Sequence, residues 1–60
     1  MRNTNHNVGD LVIDNFDNIY IVLEQKTNRD GIQVSILVSE ILRPQEKPRW
    51  KFSDEFYYVN

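Results

Sequence analysis

Two β-branched runs joined by a polar turn constrain this chain more than any other stretch. Ile19-Tyr20-Ile21-Val22-Leu23-Glu24-Gln25 leads into Lys26-Thr27-Asn28-Arg29-Asp30-Gly31, and Ile32-Gln33-Val34-Ser35-Ile36-Leu37-Val38 returns. Such residues suit a pleated, half-buried surface. The turn ends in Asp-Gly, where glycine takes a positive φ without a Cβ clash. A long β-hairpin is therefore predicted, and with it a small β-barrel. The chain has 60 residues, enough for one compact domain. A domain of this size buries only about 60% of its extended surface.

The flanking sequence adds shorter strands. Val8-Gly9-Asp10-Leu11-Val12-Ile13-Asp14 is the first strand signal; Gly9-Asp10 reads as a turn that launches the strand, with Leu11 and Ile13 on one face and Val12 on the other. Asn15-Phe16-Asp17-Asn18 reads as a polar loop carrying one aromatic. Strand two has apolar residues on both faces, so it lies between layers or bends so that each face is covered in turn. In strand three Ile32, Val34, Ile36 and Val38 share one face, and Gln33, Ser35, Leu37 and Ser39 the other. Beyond Val38, Ile41-Leu42 either extends the strand or forms a turn of helix before Pro44. Pro44 and Pro48 favour extended or turn geometry. Arg49-Trp50-Lys51-Phe52 is the fourth strand, with Trp50 and Phe52 on one face and Arg49 and Lys51 on the other; Phe52 is expected toward the core, and Trp50 is left either in the core or exposed as part of a binding groove. Ser53-Asp54-Glu55-Phe56 resembles a capped single helical turn. Tyr57-Tyr58-Val59 closes as a short fifth strand. Residues 1–7 read as a flexible polar tail and 8–60 as the barrel domain.

This succession is similar to the SH3-like barrel. Val8-Gly9-Asp10-Leu11-Val12, Ile21-Val22-Leu23-Glu24, Val34-Ser35-Ile36-Leu37, Trp50 and Tyr57-Tyr58-Val59 resemble the very small SH3-like proteins encoded by tailed bacteriophages. The resemblance spans residues 8 to 59. It implies an all-β, five-stranded SH3-like barrel with a single helical turn before the last strand. It also implies a small interaction module in virions or in host takeover, with no catalytic residues to carry over. Two departures stand out. Tyr20 occupies a position where a glycine often precedes the I-V-L-E stretch, which weakens any comparison with KOW-type RNA-binding barrels. Residues 39–48 form a longer, proline-containing connection where a short hairpin is usual.

Composition narrows the chemistry. Cysteine is absent, so no disulfide or thiolate metal site reinforces the core. His6 is the only histidine and is expected to be a solvated tail residue. Asp14-Asn15-Phe16-Asp17-Asn18 fails as an EF-hand loop, because its third and sixth positions would be Phe16 and Ile19; it reads as a turn. Asp54-Glu55 sit where a helical turn starts, and acids there are simply stabilising. Ser35, Ser39 and Ser53 have no base partner in sequence, and Gly9 and Gly31 form no phosphate loop. Catalysis, cofactors and small-molecule substrates are not expected. No apolar run approaches the ~20 residues of a membrane helix, and no signal peptide is visible. The expected setting is the host cytoplasm or a virion.

Net charge is −2, yet Arg43, Lys47, Arg49 and Lys51 supply four of the seven cations with only Glu46 among them. That segment carries +3 and the remainder −5. Two roles follow. In the first, Tyr20, Trp50, Tyr57 and Tyr58, a free sheet edge and the Asn-rich tail grip another protein, a virion component or a further copy of the chain. In the second, Arg43, Lys47, Arg49 and Lys51 hold nucleic acid, with phosphates on cations and bases stacked on rings. The first is favoured by the acidic net charge and the separation of rings from cations along the fourth strand.

Overall fold

A computed structural model describes residues 5–58. The chain is all-β. β1 (Leu11–Ile13), β2 (Ile19–Thr27), β3 (Gln33–Glu40) and β4 (Arg49–Phe52) form an antiparallel sheet in the order β4-β3-β2-β1. A 3-10 turn, Ser53–Glu55, follows β4, and a two-residue segment, β5 (Tyr57–Tyr58), pairs with the free side of β1. The sheet is open, with β4 at one edge and β5 at the other. The principal dimensions are 34 × 25 × 17 Å.

The hairpin turn forms as its residues dictate. Asn28 N–H donates to the Ile32 carbonyl (2.8 Å), and Asn28 Oδ1 accepts from the N–H groups of Asp30 (2.9 Å) and Ile32 (3.0 Å). Gly31 takes φ 79°, the left-handed conformation that favours glycine. Of the two readings of Ile41-Leu42, a turn is realised. β3 ends at Glu40, and Arg43 N–H returns to the Glu40 carbonyl (3.2 Å).

The core consists of Val12, Tyr20, Val22, Ile36, Val38 and Phe56. Phe56 is its centre, fully buried and edge-on to the Tyr20 ring at 5.4 Å. Truncating a buried phenylalanine to alanine costs about 3–5 kcal/mol. A 60-residue domain has only about 3–9 kcal/mol in total, at 0.05–0.15 kcal/mol per residue.

Two bulges decide which residues face this core. Val22 pairs with Val38 but Glu24 with Leu37, so Leu23 is an extra residue in β2. Lys26 pairs with Ser35 but Thr27 with Gln33, so Val34 is an extra residue in β3. A bulge breaks the strict alternation of a strand. The four apolar residues expected on one face of β3 therefore divide: Ile36 and Val38 are buried, Val34 and Ile32 are exposed, and Gln33 is buried instead.

The polar start of the chain corrects a second expectation. His6 is not a solvated tail residue but is fully buried. Its N–H donates to Gln33 Oε1 (2.7 Å), its carbonyl accepts from Gln33 Nε2 (2.8 Å), and its Nε2 meets the Ser53 carbonyl at 2.9 Å. The ring stands edge-on to Phe56 at 6.4 Å. Gln33 Nε2 also donates to Gln25 Oε1, and Ser53 Oγ donates to the Gln33 carbonyl (3.1 Å). Polar groups are buried at low cost when each finds a partner. The other residues of the 1–7 tail at positions 1–4 lie outside the described residues. Ser53 spends its hydroxyl on Gln33 rather than on capping the turn, which is closed instead by Phe52 N–H donating to Glu55 Oε2 (3.0 Å).

Candidate interaction surface

The register of β4 fixes the site. Ile36 pairs with Lys51 and Val38 with Arg49, while Leu37 pairs with Trp50 and Ser35 with Phe52. Residues directly opposite each other on paired strands point to the same face. Lys51 and Arg49 therefore lie on the side of the buried Ile36 and Val38, and Trp50 and Phe52 lie on the outer side. The expectation that Phe52 faces the core is corrected, since it is 68% exposed, and of the two readings of Trp50 the exposed one is realised, at 43%. Tyr20 and Phe56 already fill the interior, so the volume that usually draws a tryptophan inward is taken.

On the outer side these rings form a patch across three strands. Leu37 lies beside Trp50, Val34 and Leu23 are exposed at the two bulges, and Ile32 is exposed at the start of β3. Lys26 on β2 reaches diagonally across β3, placing Nζ 4.3 Å from the centre of the Trp50 ring. Such a cation–ring contact is worth about 0.5–1 kcal/mol at an exposed site. Two shallow hollows flank Phe52, one lined by Ile32, Val34 and Ser53, the other by Ser35, Trp50, Lys51 and Glu55.

The other side-chain candidates are placed as follows. Tyr20 is apart from Trp50: only 8% exposed, it has its ring in the core and its hydroxyl donating to Asp14 Oδ2 (3.1 Å). Tyr57 is 37% exposed beside β1, and the Tyr58 side chain lies outside the described residues. Arg43 is exposed and pairs with Glu40 at 3.8 Å. Lys47, Arg49 and Lys51 line a small hollow with Tyr20, Val38, Glu40 and Glu46, and they make no ion pair among the described residues. The cations thus gather on one side of β4 and the rings on the other. Lys26 was not singled out by the sequence, because its distance from Trp50 is visible only once the hairpin register is known.

Asp14 organises the loop between β1 and β2. Its carboxylate accepts from the N–H groups of Phe16 (2.8 Å) and Asn18 (3.0 Å), from Asn18 Nδ2 (3.2 Å) and from the Tyr20 hydroxyl. This lets Asp17 hold φ 65°, a left-handed conformation that Asp tolerates better than most residues. Desolvation works against the Asp14 carboxylate. The hydrogen bonds from the Asn18 and Phe16 backbone and from the Asn18 and Tyr20 side chains outweigh it and hold the pKa below its ordinary 3.8. Burial, followed by the hydrogen bond and negative charge of Asp14 and the charge of Glu40, pushes the Tyr20 phenol above its ordinary 10.0.

Among the described residues no helix is long and apolar enough to cross a membrane. No protein-family model, curated protein or solved structure matches the chain.

Proposed function

We propose that this chain is a small non-catalytic protein-interaction module, of the kind that tailed bacteriophages encode as a virion component or an accessory of host takeover. The observation that carries the reading is the outward placement of Trp50 and Phe52 on an edge strand, with Leu37 opposite Trp50 and Val34 lining one hollow with Phe52. Contiguous exposed apolar surface of this kind marks interaction sites, and tryptophan is enriched among residues that dominate binding energy. Closure of the sheet into a five-stranded SH3-like barrel is part of the same proposal. Its support is the pairing of β5 with β1 and the position of the 3-10 turn between β4 and β5. The setting proposed is the host cytoplasm or the virion, and the partner another protein.

The test is the double variant Trp50→Ala/Phe52→Ala. Both side chains are exposed, so far-UV circular dichroism should be unchanged. Capture of proteins from virions or infected-cell lysate should be lost. Retained capture by the folded double variant sinks the reading.

A second reading, nucleic-acid binding through Arg43, Lys47, Arg49 and Lys51, draws support from Lys26 lying over the Trp50 ring, which puts one cation and one stacking platform together. Its signature is steep weakening with salt through counterion release. Fluorescence anisotropy with labelled single-stranded DNA and RNA measures it, and no binding at low salt removes it.

A further inference from the structure

The open edge of β4 presents a specific chemistry. Phe52 N–H is taken by Glu55 Oε2, so it points away from β3. In an antiparallel pair, hydrogen-bonded and non-hydrogen-bonded positions alternate. The N–H and C=O of Trp50, two residues earlier, therefore point outward as well, while Arg49 and Lys51 bond toward β3. At the next outward position Pro48 has no N–H to offer. The edge is thus blunted at both ends, by a proline and by the Glu55 carboxylate, and Trp50 is the one residue of β4 that offers both donor and acceptor.

The side chains set what can pair there. A second copy is disfavoured by charge. A two-fold axis normal to the sheet keeps outer faces together, which leaves two registers that pair three residues of β4. With Trp50 opposite Trp50, Arg49 faces Lys51 twice; with Trp50 opposite Phe52, Lys51 faces Lys51. Like charges directly opposite each other destabilise strand pairing. Arg49 and Lys51 make no ion pair among the described residues, so their charge is available to a partner.

We infer that the β4 edge accepts an extended segment of a different protein, one that alternates acidic and apolar residues. Its apolar residue lies beside Trp50 on the outer face and exchanges two backbone hydrogen bonds with it. The acidic residues on either side lie opposite Arg49 and Lys51. Strand addition of this kind draws affinity from the main chain and specificity from alternate side chains. The inference rests on the interaction-module reading and names the partner's chemistry.

The experiment uses the whole chain and two capped heptapeptides, acetyl-Thr-Thr-Glu-Val-Glu-Thr-Thr-amide and its counterpart with lysine in place of each glutamate. Trp50 is the only tryptophan, so its emission reports binding directly. The acidic peptide should bind about tenfold or more tightly than the basic one, the size expected of two opposite-charge pairs against two like-charge pairs. In Arg49→Glu/Lys51→Glu the preference should reverse. Equal affinity for the two peptides, or no binding of either at millimolar concentration, overturns the inference. If neither binds while Trp50→Ala/Phe52→Ala still abolishes partner capture, the edge inference alone fails. If partner capture also survives the double variant, the interaction-module reading fails with it.

Discussion

Gln33→Leu isolates the clamp that holds the start of the chain. The Gln33 side chain satisfies both backbone groups of His6, with distances of 2.7 and 2.8 Å, inside a cluster where His6 is 0% and Gln33 6% exposed. Leucine keeps much of the volume and removes both partners. Leaving a buried backbone group unpaired costs about 1–3 kcal/mol. Two such groups, less roughly 1 kcal/mol gained from the more apolar side chain, give a net loss of about 1–5 kcal/mol. That is a large share of the stability of so small a domain, and it corresponds to a fall in Tm of ~4–40 °C. Urea unfolding followed by Trp50 fluorescence and far-UV circular dichroism measures it. His6→Ala releases the same segment by removing the ring from Ser53 and Phe56, so the double variant should cost less than the two singles together. A loss below about 0.5 kcal/mol for Gln33→Leu, the range of an ordinary surface change, would refute the reasoning. So would full additivity.

Three further outcomes are expected. Asp14→Ala should cost about 1–2 kcal/mol at neutral pH, as loss of a side-chain cap does. Because the folded pKa of Asp14 lies below 3.8, its contribution is present above that value and is lost as pH falls through the lowered one; the variant should flatten this acid limb in pH-dependent unfolding. The Tyr20 phenol has the opposite sign: its folded pKa is raised above 10.0, so its stabilisation is complete below pH 10.0 and is lost as pH rises through the raised value, an alkaline limb that Tyr20→Phe should remove. Lys51→Glu turns the cation pairs of the Trp50–Trp50 register into attractions with Arg49, so sedimentation should show more dimer than in the parent at equal concentration; an unchanged distribution would show that charge does not govern this edge.

Much of the strand framework was legible because its signals are local. The Asn28–Gly31 turn, the start of β1 after Gly9-Asp10 and the extent of β4 each rest on residues that are neighbours in sequence. The faces were legible only in part. Alternation predicts Ile32 and Val34 inside with Ile36, and an unseen bulge at Val34 carries Gln33 inward instead. The orientation of Trp50 and Phe52 depends on the pairing of Lys51 with Ile36, which no single strand encodes. His6 was illegible for the same kind of reason, since its partners Gln33 and Ser53 lie 27 and 47 residues away.

That spacing has a kinetic consequence. From β1 to β4, strands adjacent in the sheet are adjacent in the chain, and such local pairings are fast to form. The His6–Ser53 contact instead closes nearly the whole chain, and closure entropy grows with the length spanned. Folding should therefore proceed from the central hairpin, with Val22 and Val38 already packed at the barrier and His6 docking afterwards. Substitutions at Val22 or Val38 should slow refolding, whereas those at His6 should chiefly speed unfolding.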